Sequence, residues 1–230
     1  NKNAEDFKVS RCSHQNTRGW EDFIPAKEGT LIGGLTFLRD WIIRSEVSDA
    51  LAKIFIRNIK TNKEEELKIT EEKVISPGIS LKQKDKDTDV IRISYDSPKT
   101  PSRTFEYNIK TKEKKLVKEQ IIPSGHNRDD YVVERLNCES HDGRQIPMTI
   151  TYHKKTKLDG NAHVLLYGYG SYGMSMGPSF SSTRLSLINR NIIWVTCHVR
   201  GGMERGMRWW KEGKMLNKKN TFSDFITCAK

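Results

Sequence analysis

Short segments with alternating apolar and polar residues fill the first half of the chain. Residues 90–95 and 103–107 alternate in this way, residues 41–44 form a shorter segment of the same kind, and prolines and polar turns separate them. A period of two is typical of strands with one buried face. The pattern predicts a run of short antiparallel strands.

The same half contains an internal repeat. The segment at residues 55–61 (FIRNIKT) returns at residues 105–111 (FEYNIKT), and each copy precedes a turn rich in Lys and Glu and a short strand, around Leu67 and Val117. Repeats of about 40–50 residues are typical of β-propeller blades. The alternative is a coincidental pair of lysine-rich hairpins. Two or three blades cannot close a ring, so the pattern also predicts unpaired edge strands and a missing partner segment.

The second half of the chain has a different pattern. Asp142 and Gly143 form a turn signal between apolar segments at residues 131–136 and 146–152. Residues 164–167 and 192–199 are nearly continuous apolar runs, which predict strands buried on both faces of a sheet.

Two helices complete this half. Leu185 and Ile188 lie at helical spacing within residues 182–189, and residues 221–224 resemble a capping box that opens a helix running to Lys230. A hairpin followed by strand, helix, strand and helix predicts the front half of an α/β-hydrolase sheet.

Composition narrows the function classes. The net charge is +11, but lysines are mixed with acids at residues 63–66 and 82–87, which predicts a solvated face rather than a nucleic-acid site. No apolar run reaches the roughly 20 residues of a membrane span, and the N-terminus shows no secretory signal. The four cysteines are scattered without metal-ligand spacing, so we expect no metal or cofactor, and a reducing cytoplasm as the compartment. Cys197 lies in an apolar run and is expected in the core.

The candidate chemistry is concentrated in residues 165–173 (LLYGYGSYG). An apolar strand that runs into a glycine- and tyrosine-rich loop is a way for an α/β-hydrolase to present an oxyanion donor beside its sheet. The alternative is that the tyrosines pack and the glycines only make a turn.

This half resembles the prolyl oligopeptidase family of serine peptidases, and within it the oligopeptidase B group. The matching stretches keep their order and spacing over the last hundred or so residues. They lie at residues 142–148, 166–173, 180–187, 198–206, 213–214 and 218–225. A weaker similarity to the family's propeller appears at residues 20–25 and 104–106.

The resemblance implies a mixed architecture, in which the last blades of a partial β-propeller (residues 1–128) precede the N-terminal part of an α/β-hydrolase domain (residues 129–230). In the family the propeller covers the active site, so that only short peptides reach it. The family's oxyanion donor falls on Tyr169, while its catalytic Ser, Asp and His would fall beyond Lys230. The implied enzyme cleaves short peptides after Lys or Arg, and these residues alone would be inactive and loosely packed unless a second chain supplied the rest.

One serine imitates a nucleophile. Residues 173–177 match the G-x-S-x-G motif around Ser175. A nucleophile elbow, however, is a tight turn directly between a strand and a helix. The α/β-hydrolase fold also places the catalytic histidine last in the chain, and no histidine follows His198. We expect Ser175 to be a loop residue and His198 a structural one. Gly177 and Ser179 stand about where oligopeptidase B carries acidic residues. The carboxylates that would bind a basic substrate residue are therefore missing at these two positions. Glu204 and Asp224 are expected to be structural.

The sequence is also compatible with two other functions. One is a non-catalytic propeller-type binding remnant or decaying gene product, for which the positive charge would favour acidic partners. The other is an esterase that uses Ser175.

Overall fold

The N-terminal part consists of antiparallel strands in three sheets. The structure is a computed structural model that describes residues 3–80 and 86–230. A two-stranded hairpin comes first, and two four-stranded meanders follow. Their strands are β1 (Val9–Ser13), β2 (Asn16–Ile24), β3 (Thr30–Phe37), β4 (Trp41–Ser48), β5 (Leu51–Asn58), β6 (Glu64–Glu66), β7 (Ser76–Ser80), β8 (Val90–Asp96), β9 (Arg103–Asn108) and β10 (Lys114–Glu119).

The two meanders share one hydrophobic core. Ile43 and Ile56 from the first meander pack in the same cluster as Ile91, Ile93 and Ile109 from the second, and all are at most 2% exposed. Alternate residues of β8 are buried (Ile91, Ile93 and Tyr95), as the period of two predicts. Four-stranded antiparallel sheets packed face to face are the arrangement of propeller blades, so the predicted partial propeller is confirmed.

The sequence repeat is a repeat of structure. Asn58 and Asn108 end the equivalent strands β5 and β9. The Oδ1 atom of Asn58 accepts hydrogen bonds from the backbone N–H groups two and three residues ahead at 3.0 and 2.9 Å, and that of Asn108 does the same at 2.9 and 3.1 Å. Both turns then reach a left-handed residue, Asn62 (φ 58°) and Lys112 (φ 64°). The strand predicted around Val117 is β10, and the one predicted around Leu67 is β6, which ends one residue earlier.

The C-terminal part contains one mixed sheet with helices beside it. Its strands are β11 (Tyr131–Glu139), β12 (Gln145–His153), β13 (Val164–Tyr167) and β14 (Ile193–Cys197), in the order β11-β12-β14-β13. β13 and β14 are parallel, and the other two pairs are antiparallel. The helices are α1 (Ser182–Ile188), α2 (Gly206–Lys211) and α3 (Lys218–Ala229). The predicted front half of a hydrolase sheet is therefore confirmed, while the division between residues 128 and 129 stays a prediction.

Two local predictions were wrong. Residues 164–167 are not buried on both faces, because β13 is an edge strand of its sheet; Val164 is 53% exposed. The capping box at residues 221–224 does not exist. α3 begins three residues earlier, at Lys218, and Thr221 and Asp224 are buried inside it with partners outside the helix.

The charged face predicted for residues 63–66 is present. β6 is exposed along its length, and its acids pair with basic residues of β5, as in Arg57–Glu64 at 2.9 Å and Lys53–Glu66 at 3.2 Å. The second mixed-charge run, residues 82–87, lies largely outside the described residues. Among the helices of the described ranges, none has the length and apolar character needed to cross a bilayer.

Candidate functional site

The glycine–tyrosine loop leaves the carboxyl end of β13, beside the segment that leaves the parallel strand β14. The N–H of Gly173 donates to Gly201 O at 3.0 Å, which joins the two segments. The ammonium group of Lys218, at the start of α3, donates hydrogen bonds to Ser171 Oγ at 2.8 Å and to Gly170 O. Carboxyl ends of parallel strands are where open α/β sheets bind ligands. The loop is therefore fixed at the edge where a site is expected.

Close backbone contact requires glycine at two positions. Gly170 has a φ of +63°, and a Cβ there would lie 2.8 Å from Arg200 O and closer still to the Thr221 methyl group. Gly201 has a φ of +105°, and its Cβ would overlap Gly170 O. Since side chains at these positions would have to displace backbone, the glycines set the distance between the two segments.

Tyr169 lies within this clamped loop and is 41% exposed. The hydrogen bonds found in residues 3–80 and 86–230 include none to its hydroxyl group. A phenol held by a fixed backbone, with its hydroxyl free, is able to donate to an oxygen that gains charge. Its role as an oxyanion donor stays a prediction.

A buried guanidinium supports the loop from behind. Arg200 is 1% exposed, and its Nε and Nη2 atoms donate to the two carboxylate oxygens of Asp224 at 2.9 and 2.6 Å. Its Nη1 donates to Asp142 at 2.5 Å, and its carbonyl accepts from Thr221 Oγ1 at 2.7 Å. This two-oxygen pairing ties α3 and the β11–β12 turn to the Arg200–Gly201 segment.

The electrostatics of this cluster favour the ion pair. Burial lowers the pKa of Arg200, but the hydrogen bonds that it donates to Asp224 and Asp142 outweigh this effect and hold that pKa above its ordinary value. For Asp142, burial raises the pKa, and the Arg200 guanidinium more than offsets this, so the net pKa is lowered. Asp224 is committed to Arg200 and Ser140, which agrees with the structural role expected of it.

Glu204 holds the next part of the loop. It is 1% exposed, and its Oε1 accepts from Met176 N at 3.0 Å, whereas its Oε2 is buried without a hydrogen-bond partner in the described residues. Burial raises the pKa of Glu204 to about 7. This carboxyl is a structural contact of the loop rather than a group open to ligands.

His198 is also internal. It is fully buried, and its Nε2 lies 2.8 Å from Thr149 Oγ1, while Nδ1 has no hydrogen-bond partner within the described ranges. Burial lowers the pKa of His198 to about 3, so the ring is neutral at pH 7. The structural histidine expected from the sequence therefore has one ring nitrogen paired and one unpaired.

Ser175 lies in the loop between β13 and α1. It is exposed, eight positions after Tyr167 and seven before Ser182, in neither a strand nor a helix. In the described part of the chain one serine–histidine hydrogen bond is present, Ser140 Oγ to His141 Nδ1 at 3.2 Å, and that buried serine donates to Asp224 at 2.7 Å. The Asp therefore bonds the serine and not the histidine, which is not the order of a catalytic triad.

The propeller contacts the same segment from the other side. The β4–β5 turn places Asp49 and Ala50 at φ values of 51° and 63°. Ala50 N donates to Glu204 O at 2.9 Å, and Asp49 accepts from Arg205 Nε at 2.7 Å and from Arg135 Nη2 through its carbonyl at 2.6 Å. A hairpin of the first blade thus docks on the residues that hold the loop.

Sequence reasoning did not assign roles to Arg200 or Lys218. Both were part of matching stretches, yet the contacts that define them reach far along the chain. Arg200 contacts Asp142, 58 positions away, and Lys218 contacts Gly170, 48 positions away. The available signal was a charged residue beside glycines that follow a buried strand. No group of three or more His, Cys, Asp or Glu suited to a metal ion is present in the described residues.

Two family models match the chain. The model described as the prolyl oligopeptidase N-terminal beta-propeller domain matches residues 1–120, and that of the prolyl oligopeptidase family matches residues 178–230. Among curated relatives, the dipeptidyl aminopeptidase BI of Pseudoxanthomonas mexicana is 36% identical over 97% of this chain and 31% of its own length. Protease 2 of Moraxella lacunata is 31% identical over 100% of this chain and 33% of its own length.

Solved structures give the same result. Oligopeptidase B from Trypanosoma brucei matches with a TM-score of 0.85 and 29% identity over 94% of this chain and 32% of that chain. Prolyl oligopeptidase B from Galerina marginata matches with a TM-score of 0.87 and 26% identity over 99% of this chain and 32% of that chain. The chain therefore spans about a third of the length of the proteins it matches.

Proposed function

The chain belongs to the prolyl oligopeptidase family, and we propose that it forms the oxyanion-binding half of a serine peptidase active site. The observation that carries the proposal is the glycine–tyrosine loop. It is clamped by Gly201 and Lys218, supported by the buried Arg200–Asp224 pair, and presents Tyr169 with its hydroxyl unengaged among the described residues.

In the proposed mechanism a serine attacks the scissile carbonyl, and a histidine takes the serine proton and gives it to the leaving amine. Tyr169 donates its hydroxyl to the carbonyl oxygen as negative charge develops there. A preplaced donor of this kind lowers the barrier by about 3–4 kcal/mol. The clamp matters because a donor that must first be ordered loses part of this advantage.

The serine, its histidine and the acid are supplied by residues outside these 230, either from the same reading frame or from a second chain. β13 offers a place for such residues, because it is an edge strand whose outer side has no strand in the described ranges. The apolar side chains exposed on β13 itself, Val164 and Tyr167, would be covered by the added segment.

For the substrate we propose short peptides cleaved after Lys or Arg, which rests on the resemblance to oligopeptidase B in the sequence; an oligopeptidase B is among the solved structures that the chain matches. A guanidinium needs a carboxylate for a strong two-point contact. Glu204 is buried against Met176, and Asp224 is occupied by Arg200, so neither is available. Gly177 and Ser179 offer none. We therefore place the carboxylate that binds the basic residue at none of these four positions.

The test is hydrolysis of a short arginyl amide by this chain, with and without the separately produced segment encoded downstream of Lys230. We expect no activity from the chain alone and activity from the mixture. Tyr169→Phe should then lower kcat by roughly 10²–10³-fold with little change in KM. Tyr172→Phe is the matched control, since Tyr172 lies in the same loop and is 86% exposed, and it should retain activity.

Three results would count against the proposal. Full activity of Tyr169→Phe would remove Tyr169 as the donor. Activity of the chain alone that disappears in Ser175→Ala would assign the reaction to Ser175. Equal rates on arginyl and alanyl amides would contradict the basic preference.

A further inference from the structure

Three of the four cysteines meet at one place in the fold. Cys138 lies near the end of β11, Cys197 ends β14, and Cys228 lies in the last turn of α3. The Sγ atoms of Cys138 and Cys228 are 3.0 Å apart although 90 positions separate them in the chain. Both are partly exposed, while Cys197 is 1% exposed in the same cluster and also contacts the Cys228 thiol.

The surrounding contacts fix this approach. Cys138 and Ser140 are two positions apart, so they lie on the same side of an extended segment, and Asp224 and Cys228 are one helical turn apart on the same face of α3. Ser140 Oγ donates to Asp224 Oδ1 at 2.7 Å, and both residues are buried. This bond sets the position of α3 against β11. The two thiols are therefore brought together by the backbone and not by chance rotamers.

We propose that Cys138 and Cys228 form an oxidation site at which a hydroperoxide converts the two thiols to a disulfide that fastens α3 to β11. One thiol attacks the peroxide, becomes a sulfenic acid and releases water or an alcohol. The other thiol then attacks that sulfur, forms the S–S bond and releases one molecule of water. The two cysteines together lose two electrons and two protons, and the peroxide O–O bond is reduced.

The environment of the pair sets its rate. Burial raises the pKa of Cys138 to about 12, and the Cys197 thiol together with burial raises the pKa of Cys228. The charged group that faces the pair from α3, Asp224, acts in the same direction. Because the thiolate is the nucleophile, we expect oxidation to be slow at neutral pH and to accelerate as the pH rises.

The disulfide would also act on the residues behind the glycine–tyrosine loop. Asp224 lies one turn before Cys228 and holds Arg200, so a covalent link at the end of α3 would restrict the motion of that ion pair. This inference stands apart from the peptidase proposal, since it concerns a thiol pair whose oxidation needs no peptidase activity.

The direct test is peptide mapping under non-reducing conditions after the reduced chain is treated with hydrogen peroxide. We expect a linked peptide that joins Cys138 to Cys228, a mass lower by two hydrogen atoms, and recovery of both thiols with a dithiol reductant. Cys12→Ser and Cys197→Ser should give the same link, and Cys138→Ser should not. A link between Cys197 and Cys228, dimers through Cys12, or sulfinic acid without any link would overturn the proposal.

Thermal stability gives a second readout. Closing a loop of this length restricts the unfolded chain, so the oxidised chain should melt roughly 5–10 °C above the reduced one. The melting temperature of Cys138→Ala should not respond to peroxide. If that variant does not fold, mapping and melting of the Cys12→Ser chain decide the question alone. An unchanged or lower melting temperature after the Cys138–Cys228 link has formed would contradict the fastening role.

Discussion

The strands of the two blades and the strands of the hydrolase sheet differ in how they are paired and buried. The blades consist of antiparallel neighbours joined by short turns, and they bury Ile91, Ile93 and Ile109 completely in a common core. The hydrolase sheet ends on β13, a parallel strand whose apolar Val164 is half exposed. Both regions contain apolar strands, but apolar residues alternate with polar ones in the blades and are nearly continuous in β13 and β14.

The difference lies in where the partners come from. A meander pairs each strand with the next one along the chain, whereas a parallel strand needs a crossover and a neighbour from farther away. Strand pairing in the blades therefore involves neighbours along the chain, while the hydrolase sheet depends on contacts between distant segments. We expect mutations to reveal this difference through the size of their effects.

The largest effect is expected at the buried ion pair of the hydrolase part. Arg200→Met leaves Asp224 buried without its counter-charge, which should cost about 3–5 kcal/mol of unfolding free energy. The matched change in a blade is Arg44→Met. Arg44 is buried beside Glu46 and Glu64. Glu46 would lose its partner, but Glu64 is 23% exposed and keeps Arg57, so the cost should be smaller, about 1–3 kcal/mol.

Urea unfolding followed by circular dichroism measures both variants. If Arg44→Met destabilises the chain as much as Arg200→Met, the hydrolase part does not depend on its distant ion pair more than the blades depend on Arg44.

A second pair of variants compares the two kinds of apolar strand residue. Ile93→Ala removes a fully buried side chain from the blade core and should cost about 2–5 kcal/mol. Val164→Ala, on the exposed edge strand, should cost less than about 0.5 kcal/mol. Thermal melts of the purified variants decide the matter, and a large loss at Val164 would mean that the β13 edge is covered in solution.

The pH dependence of stability tests the buried groups behind the loop. The pKa of Glu204 is raised to about 7 in the folded state, so its stabilising contribution is complete below about pH 4.5 and is lost as the pH rises to 7. The pKa of His198 is lowered to about 3, so its contribution is present above about pH 6.5 and is lost as the pH falls. Between pH 4.5 and 6.5 the two effects oppose each other.

Glu204→Gln should therefore make stability rise with pH in that window, by about 1.4 kcal/mol per pH unit relative to the original chain. His198→Gln should make it fall by a similar slope. Urea midpoints at several pH values measure both. Parallel curves for the two variants and the original chain would show that neither group is titrated as described.

A further comparison, with small effects, concerns the repeated turns. Asn58→Ala and Asn108→Ala each remove two hydrogen bonds from exposed backbone N–H groups, so each should cost about 0.5–1.5 kcal/mol. The two losses should be equal within error, because the turns are the same. Differential scanning calorimetry compares them, and a threefold difference would show that the sequence repeat is not an energetic one.

Local patterns predicted most of the strands. The alternation of residues 90–95 and the Asp142–Gly143 turn signal depend only on neighbours along the chain, and the structure confirms both. The start of α3 could not be predicted in this way. Thr221 and Asp224 have the sequence of a helix cap, but Arg200, more than twenty positions away, takes both of them as partners. The exposure of β13 likewise depends on a neighbour that its own sequence does not specify.

The measurement that tests this account most directly is amide hydrogen exchange of the purified chain, comparing peptides from β8 and β13. We expect β8 to be strongly protected and β13 to exchange several orders of magnitude faster, because local opening is easiest where the backbone is exposed. Addition of a segment that carries the proposed serine, histidine and acid should slow exchange in β13 and leave β8 unchanged. Equal, strong protection of both strands in the chain alone would contradict the account.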